Sequence, residues 1–299
     1  MRHTRLVLAA LSFAGLVIAA AVASGGGPSA SASAAAASPA SAATHARWSL
    51  GSYPGWVQEY EMPPREVDYS PFTHILHFAM YPNRRGGLRI GDLISRENAR
   101  RAVAVAHAHG REIVLVVGGE GIDQFVAATR GERRARLVAE IVAALDRYGY
   151  DGVSVDWEEQ VVPRRLVALV RDIHAALADR DPRALILLDA ISGLVPPSAA
   201  ARVAPLVDSV NLFTYYHDRG SRIKRQFELY TSAGVPAEKI VAGIGIFPRA
   251  HDRSAKRVRR KLAFVVDHGL RGVELWSFQW ARWGDPRIGL IREYAAGIG

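Results

Sequence analysis

Short apolar runs alternate with amphipathic segments from Trp48 onward, and this alternation constrains the fold more than any other feature of the sequence. Apolar runs of about four to eight residues are typical of buried strands. Strands that alternate with helices are typical of a parallel sheet, because each crossover between parallel strands needs a long connection. Eight runs are predicted as strands: Leu50 to Tyr53, Ile75 to Met80, Ile113 to Val117, Val153 to Asp156, Leu185 to Ala190, Ser209 to Tyr215, Ile240 to Ile246 and Val273 to Phe278.

Helical patterns occupy most of the connections between these strands. Helices are predicted over Ser95 to His109, Gly131 to Tyr148, Pro163 to Ala178, Arg222 to Ala233, Ser254 to His268 and Pro286 to Ala295, with a short helix in residues 196–204 and mostly loop in residues 54–71. Eight strand–helix units in about 250 residues predict an α/β fold of the TIM (β/α)8 barrel type. A doubly wound open sheet is the alternative, but the run Gly118 to Gly121 lacks the glycine spacing of its nucleotide-binding turn.

The N-terminus has the features of a secretion signal. A positive start, MRHTR, precedes an apolar run, and small residues at Ala21 and Ala23 suit cleavage. An uncleaved membrane anchor is the alternative, because the run is nearly long enough to span a bilayer. We expect a signal peptide in residues 1–23, a flexible Ser/Ala/Gly/Pro-rich linker in residues 24–46 and one barrel domain in residues 47–299.

Charge and cysteine content exclude several classes of function. The formal net charge is +9, and Arg2 and Arg5 are the only charged residues before residue 47, which leaves +7 for the remainder. The densest basic run, Arg253 to Lys261, has helical apolar spacing and is predicted to be the solvated face of an amphipathic helix. No nucleic-acid-binding module accompanies the charge, so we expect no specific nucleic acid and no membrane contact beyond the signal. The absence of cysteine excludes disulfides and cysteine catalysis.

The stretch from Tyr150 to Glu159, YDGVSVDWEE, combines a strand pattern with acidic side chains. On a strand, Ser154, Asp156 and Glu158 share one face and the apolar residues share the other. Both faces of a parallel sheet covered by helices are ordinarily apolar, so paired carboxylates at the end of a buried strand indicate a functional site. Neighbouring carboxylates raise each other's pKa, which prepares a general acid. A structural salt bridge or a solvated strand end is the alternative.

This stretch resembles the fourth-strand motif D-G-x-D-x-D-x-E of glycoside hydrolase family 18, the chitinase family, at Asp151, Gly152, Asp156 and Glu158. Ser154 stands where the family has its second aspartate. Chitobiase-like and spore-cortex-lytic branches, which this variant resembles, also have an uncharged residue there. Other landmarks follow in order: Val116-Val117-Gly118-Gly119 resembles S-x-G-G, Phe213-Thr214-Tyr215-Tyr216 resembles M-x-Y-D, and Trp276 stands at the strand-eight tryptophan.

The resemblance implies a retaining hydrolysis in which the 2-acetamido group of the substrate attacks the anomeric carbon. In this scheme, Glu158 protonates the leaving oxygen and then activates water. Asp156 accepts a hydrogen bond from the acetamide N–H and stabilises the positive intermediate. Tyr215 holds the acetamide carbonyl, and Trp276 lies under the apolar face of the sugar. The scheme requires no metal and no cofactor.

Further residues are expected near the site. Tyr216 replaces an acid of the family motif, whereas the Ser154 hydroxyl can still donate to Asp156. The expected substrate contacts are Trp276, Ser154, Tyr216, Tyr53, Phe78 and Asp189, with packing in the core as the alternative for the aromatic residues. Trp56, just past the first strand, is a further candidate for the cleft. Asp151, Gly118 and Gly119 are expected to be structural, and Glu274 is expected to form a buried ion pair.

We therefore expect a secreted, monomeric glycoside hydrolase that cleaves beta-1,4 bonds next to N-acetylglucosamine in a polysaccharide or oligosaccharide, such as chitin oligomers. The alternatives are a catalytically silent chitinase-like protein that binds carbohydrate, a peptidoglycan-directed N-acetylglucosaminidase, and a binder of anionic surfaces driven by charge. Residues 247–253, which follow the seventh strand, are too few to hold the additional domain that deepens the groove of many chitinases. A shallow cleft is therefore expected.

Overall fold

The computed structural model describes residues 47–91, 93–191, 193–216 and 222–298. The expected signal peptide and linker, residues 1–46, lie outside the described residues. Within the described part, no helix has both the length and the apolar composition needed to cross a bilayer.

Eight parallel strands of the described chain close into a barrel. These eight strands are β1 (Trp48–Pro54), β2 (His74–Pro82), β4 (Glu112–Gly118), β5 (Gly152–Asp156), β6 (Leu185–Ala190), β7 (Ser209–Leu212), β8 (Ile240–Gly245) and β9 (Gly272–Trp276). A further short strand, β3 (Leu88–Arg89), pairs antiparallel with the end of β2 and is not part of the barrel. Neighbours pair in the order β2-β4-β5-β6-β7-β8-β9-β1, and β1 pairs with β2 to close the sheet. This closure confirms the predicted TIM barrel and shows that the open-sheet alternative was wrong.

Helices surround the barrel in the connections between its strands. They are α1 (Arg96–Ala108), α2 (Phe125–Ala128), α3 (Glu132–Tyr148), α4 (Pro163–Ala178), α5 (Pro197–Val203), α6 (Ile223–Ser232), α7 (Ala255–Asp267) and α8 (Pro286–Ala295). The sequence contains local signals for several of their ends. Ser95 caps α1 by accepting a hydrogen bond from the Asn98 N–H, and Pro286 occupies the first turn of α8 after the capping residue Asp285.

Apolar side chains form two layers, one inside the barrel and one between the barrel and its helices. The inner layer includes Leu50, Leu76, Val114, Val116, Leu187 and Val241, and the outer layer includes Ile113, Leu115, Val153, Val155, Leu166 and Ile173. Each fully buried aliphatic side chain contributes about 1.5–3 kcal/mol to folding. Inside the barrel, apolar and polar residues lie side by side on neighbouring strands: Leu187 pairs in register with Ser154, and Leu50 pairs in register with Glu274.

Two strands end earlier than their sequences predicted. β7 stops at Leu212, and the Thr214 N–H bonds the Leu212 carbonyl, so Tyr215 lies in a turn beyond the strand. β9 stops at Trp276, and Phe278 begins a turn of 3-10 helix. In both places aromatic residues with high strand propensity continue past the point where the backbone turns. β3 and α2 were not predicted because they are too short to show a period.

Lys261 of α7 anchors the turn that follows β7. Its ammonium group is buried, with 4 % of the residue exposed, and donates to the carbonyl oxygens of Thr214 (2.9 Å) and Gly243 (2.8 Å) and to Asp252 Oδ2 (2.5 Å). These acceptors use all three of its protons. Burial lowers the pKa of Lys261, and the charge of Asp252 opposes that shift. The backbone next to Tyr215 is therefore held from outside the barrel.

The basic run Arg253 to Lys261 is thus only partly the solvated face that the sequence predicted. Lys256, Arg259 and Arg260 are exposed, as expected. Lys261 was assigned wrongly, because its buried partner Asp252 precedes the helix and is not marked by the helical period.

Replacing Lys261 with alanine is expected to lower the free energy of unfolding by about 3–5 kcal/mol, because Asp252 would stay buried without its cation. The control Lys256→Ala removes an exposed lysine from the same helix and should change the free energy of unfolding by less than about 0.5 kcal/mol. Urea unfolding at neutral pH measures both. Equal, small effects of the two substitutions would contradict the anchoring role of Lys261.

Candidate active site

Polar side chains of β5 and its C-terminal extension form a column in the upper barrel. Ser154 and Asp156 alternate with apolar residues along the strand, and Glu158 follows two residues beyond Asp156. Asp156 pairs in register with Gly118 at the end of β4, which places it at the C-terminal end of the strands. Asp156 is 1 % exposed, whereas Glu158 is only partly buried. The acids therefore lie at the barrel end where TIM-barrel sites are found, here called the mouth.

Asp156 and Glu158 hydrogen-bond to each other through their side chains. Burial raises the pKa of Asp156 well above its usual range, and the charges of Glu158 and Asp189 add to this shift. Burial also raises the pKa of Glu158 to about 7, against the opposing effect of its hydrogen bond with Asp156. A hydrogen bond between two carboxyl groups needs a proton on one of them, so the pair retains a proton near neutral pH. The other oxygen of Asp156, Oδ1, is buried and accepts no hydrogen bond from the described residues.

Asp189 of β6 lies beside this column. Its Oδ2 accepts a hydrogen bond from Ser154 Oγ at 2.7 Å, and its Oδ1 accepts one from Asn211 Nδ2 at 2.7 Å. The Asn211 amide oxygen is in turn hydrogen-bonded by Ser209 Oγ at 2.7 Å. All four residues are buried. Ser154 and Asp189 thus contact each other inside the barrel, and neither is exposed to the mouth as the predicted substrate contacts would be.

Glu274 of β9 is the fourth acid of the barrel interior. It was expected to form a buried ion pair, but the described residues contain no such pair, and the expectation was wrong. Its Oε1 instead accepts a hydrogen bond from Ser52 Oγ at 2.9 Å. Burial raises the pKa of Glu274 to about 8, the charge of Asp189 adds to the shift, and the Ser52 hydroxyl opposes it. A protonated carboxyl group therefore takes the place of the expected ion pair near neutral pH.

Two glycines allow the β4 backbone to approach the acids. A Cβ atom on Gly118 would lie 1.9 Å from the Asp156 carbonyl oxygen, and its φ of +121° is one that side chains rarely adopt. The Gly119 N–H donates to the same carbonyl oxygen at 2.9 Å, and a Cβ there would lie 2.6 Å from the Phe78 ring. This geometry fits the structural role expected for Gly118 and Gly119.

Aromatic side chains line part of the mouth. Tyr215 is buried, and its phenol lies close enough to Asp156 and Glu158 for their charges, after burial, to raise its pKa. Tyr216 beside it is 37 % exposed, with ring centroids 5.0 Å apart. Trp276 is partly exposed, and the Phe78 ring meets it edge-on at 5.0 Å. Of the predicted substrate contacts, Tyr216, Trp276 and Phe78 are the ones whose aromatic surfaces lie near the acids.

Tyr53 is not brought to this site. Because Ser52 faces the barrel interior, the next side chain points to the outer layer, where Tyr53 packs against His77 and Phe278. Its hydroxyl donates to the Met62 carbonyl oxygen. The placement as a substrate contact was therefore wrong. Trp56, in the turn after β1, is exposed instead and meets the Phe78 ring edge-on at 5.7 Å.

Asp151 lies at the opposite end of β5, where its Oδ2 accepts hydrogen bonds from the Ile113 N–H at 2.7 Å and from His107 Nε2 at 2.8 Å. It joins β5 to β4 and to α1, in keeping with the structural role expected from its place in the motif.

Sequence reasoning missed several residues that support the site. Ser209 and Asn211 alternate on β7 as Ser154 and Asp156 do on β5, so the same pattern would have placed them in the interior. Gly243 had no such signal. A Cβ there would lie 2.7 Å from the Tyr215 ring, so the residue gives space to a side chain 28 positions earlier in the chain.

Of the two acids of the pair, Glu158 is partly exposed and Asp156 is buried. A concave region of about 700 Å³ lies at the other end of the barrel, lined in part by His174, Asp208 and Lys239. Another, of about 620 Å³, lies beside the turns after β1 and β9 and is lined by Val57, Glu61, Met62, Gln279 and Arg282. Neither includes Asp156 or Glu158. Solvent contact of the acids therefore depends on the partly exposed Glu158.

A closed parallel barrel with interacting carboxyl groups at the C-terminal ends of its strands defines a TIM-barrel protein with an acidic site at its mouth. The sequence profile of the Glycosyl hydrolases family 18 matches residues 52–257. The chain belongs to this family, as its fourth-strand motif predicted.

Similar proteins agree with this assignment. A chitinase-like effector of Moniliophthora perniciosa is 25 % identical over 244 residues, which are 67 % of this chain and 55 % of the relative. The chain thus spans about half of the length of that relative. The Group IV chitinase of Ostrinia furnacalis has a TM-score of 0.73 at 15 % identity and covers 84 % of this chain and 100 % of its own. A GH18 chitinase of Cycas revoluta in complex with (GlcNAc)3 has a TM-score of 0.71 at 17 % identity, and the match covers 84 % of this chain and 99 % of that one. The structural likenesses show a chitinase-like fold.

Replacing Glu274 with glutamine is expected to make stability less dependent on pH. Folding raises the pKa of Glu274 from 4.5 to about 8. The protonated side chain therefore contributes fully to the free energy of unfolding below about pH 4.5, and this contribution is lost as the pH rises through 8. Glutamine does not ionise and still accepts the Ser52 hydrogen bond. As the pH rises from about 4 to about 9, the free energy of unfolding of the variant should therefore increase by about 5 kcal/mol relative to that of the wild type.

Urea unfolding at several pH values across this range measures the gain. The control is Glu238→Gln, which changes an exposed glutamate outside the barrel interior. If the free energies of unfolding of the wild type and of Glu274→Gln change in parallel with pH, the result would contradict the burial of an ionisable Glu274.

Proposed function

We propose that the protein is a secreted glycoside hydrolase that cleaves beta-1,4 bonds next to N-acetylglucosamine in chitin oligomers or related glycans. The observation that supports this most directly is the hydrogen-bonded pair Asp156 and Glu158 at the mouth, in which burial raises the pKa of Glu158 to about 7. A general acid works best when its pKa lies near the working pH. Membership of the family supports the hydrolase type, and a relative in complex with (GlcNAc)3 supports the class of sugar.

In the proposed first step, the carbonyl oxygen of the sugar's 2-acetamido group attacks the anomeric carbon. The glycosidic bond breaks, and Glu158 transfers its proton to the leaving oxygen. Asp156 Oδ1, to which no described residue donates, accepts the hydrogen bond of the acetamide N–H. Its negative charge balances the positive charge of the oxazolinium-like intermediate.

In the second step, the Glu158 carboxylate takes a proton from a water molecule. The resulting hydroxide attacks the anomeric carbon on the face that the leaving group occupied, and the bond to the acetamide oxygen breaks. Glu158 is protonated again, and the configuration at the anomeric carbon is retained. One carboxyl group therefore acts as acid and then as base.

Two aromatic residues are proposed to position the sugar. The Tyr215 phenol is protonated, because burial and the nearby carboxylates raise its pKa, so it can donate to the acetamide carbonyl oxygen. Trp276 provides an apolar surface for the sugar ring, and Phe78 supports it edge-on.

Glu158→Gln is expected to reduce the rate of chitotetraose hydrolysis by about 10²–10⁴-fold, because glutamine has no proton to donate. Timed product analysis by chromatography measures the rate, and NMR of the first product gives its anomeric configuration. Glu238→Gln, an exposed change away from the mouth, should retain the wild-type rate. Products with inverted configuration would contradict the substrate-assisted mechanism.

A carbohydrate-binding protein without hydrolase activity is the second candidate. Ser154 supports it, since it removes a carboxylate from the family motif, and so does Tyr216, which removes another acid. Calorimetric binding of chitooligosaccharides distinguishes the two candidates. Binding with no cleavage, unchanged by Glu158→Gln, would establish the second.

Soluble chitooligosaccharides are expected to be cleaved at least about tenfold faster than an equal mass of crystalline chitin, because a shallow mouth has few contacts to hold a chain lifted from a crystal. The connection after β8, residues 246–254, contains no additional domain. Product profiles on both substrates and on purified peptidoglycan measure the preference. Faster cleavage of crystalline chitin would contradict a shallow site, and faster cleavage of peptidoglycan would identify a different polymer.

A further inference from the structure

The buried carboxyl group of Asp189 has no part in the proposed reaction steps. Asp189 is 3 % exposed, at the C-terminal part of β6, and it forms no ion pair with the described residues. It is instead held by two donors, Ser154 Oγ and Asn211 Nδ2, each at 2.7 Å. Burying an acid costs free energy unless its charge is used or neutralised. A buried acid without an ion pair is therefore expected to have a structural or functional role.

The hydrogen bond with Ser154 indicates this role. Ser154 stands where the family motif has an aspartate, one layer below Asp156 on β5. In this chain the neighbouring strand β6 supplies a carboxyl group that reaches the Ser154 hydroxyl. A carboxylate is thus present beneath the acid pair, but it comes from a different strand.

We propose that Asp189 is a positioning residue, whose carboxylate lies beneath Asp156 and Glu158 and keeps a proton on that pair. This assignment rests on the proposed hydrolase function, because it concerns the proton that Glu158 delivers. Asp189 does not touch the substrate in this scheme. It acts on the reaction through its charge.

The electrostatics of the interior agree with this role. The negative charge of Asp189 raises the pKa of Asp156, of Glu158 and of Glu274. Burial raises the pKa of Asp189 itself to about 6, and the Ser154 and Asn211 donors oppose that shift. Between about pH 6 and pH 7 the group therefore carries its charge while Glu158, with a pKa of about 7, still holds a proton. Other titratable groups also face the pair. The charges of Glu120 and Glu159 raise the pKa of Glu158, the charge of Glu274 raises the pKa of Asp156, and the phenols of Tyr215 and Tyr216 lie beside both acids.

The orientation of Asp189 is also fixed. Ser209 Oγ bonds the amide oxygen of Asn211, which directs the Asn211 NH2 group at Asp189. The chain Ser209, Asn211, Asp189 and Ser154 connects β7, β6 and β5 inside the barrel, so each group limits the movement of the next.

The test is the variant Asp189→Asn, which removes the charge and keeps the shape. Its amide can donate to Ser154 Oγ, since a hydroxyl also accepts. Loss of the charge should lower the pKa of Glu158, so that less of it is protonated at high pH. The rate of chitotetraose hydrolysis by the variant, relative to the wild type at the same pH, should therefore be about tenfold lower at pH 8 than at pH 5. The control Asp181→Asn, an exposed change at the other end of the barrel, should leave the pH profile unchanged.

A double variant distinguishes charge from structure. Ser154→Asp combined with Asp189→Asn returns the carboxylate to β5, and it should restore most of the activity at pH 8. A uniform loss for Asp189→Asn at all pH values, or no recovery in a double variant with the wild-type melting temperature, would overturn the proposal.

A measurement without substrate separates this inference from the proposed function. Carbon-13 NMR of labelled glutamate follows the titration of Glu158, whose signal is assigned by its loss in Glu158→Gln. In Asp189→Asn this titration should move to lower pH. If the wild type does not cleave chitooligosaccharides, the proposed function fails, and an unchanged titration would overturn the role of Asp189 independently.

Discussion

The hydrogen bond between Asp156 and Glu158 is the interaction on which the interpretation of this barrel depends. Two carboxyl groups can share it only while one keeps a proton, and burial provides that condition by disfavouring both charges. Asp189 and Glu274 increase the effect, and the described residues place no cation among the four acids. The interior therefore keeps protons on Glu158 and Glu274 near neutral pH, and the carboxylate charge that remains would stabilise a positive charge formed beside it. Membership of family 18 gives this electrostatic arrangement a chemical context.

Much of this arrangement could be predicted from local sequence. Strict alternation along β5 placed Ser154, Asp156 and Glu158 on one face, and the count of strand–helix units predicted the closed barrel. The partners of the buried polar groups could not be predicted in this way. Ser52 and Glu274 are 222 residues apart in sequence, and the Lys261 contacts join a helix to the turns after two strands. Such pairs depend on which strands become neighbours, and a local period contains no information about that.

The wrong assignments have a common physical cause. Tyr53 was placed in the cleft because it ends a strand, but its neighbour Ser52 takes the inward direction and turns Tyr53 to the helices. β7 was extended to Tyr215 because an aromatic run has high strand propensity, although the backbone turns after Leu212. In both cases the local direction of the backbone decided the outcome: it turned Tyr53 to the outer layer and placed Tyr215 in a turn beyond the strand.

The contact between Gly118 and the Asp156 carbonyl oxygen has a consequence for how such a protein diverges. No side chain fits at position 118, and Gly243 is similarly closed by the Tyr215 ring. Substitutions at these two positions are therefore expected to impair folding, whatever the ligand. The partly exposed Tyr216 and Trp276 have no such restriction. New ligand preferences in descendants of this chain are therefore expected at the aromatic edge, where a changed side chain meets no backbone.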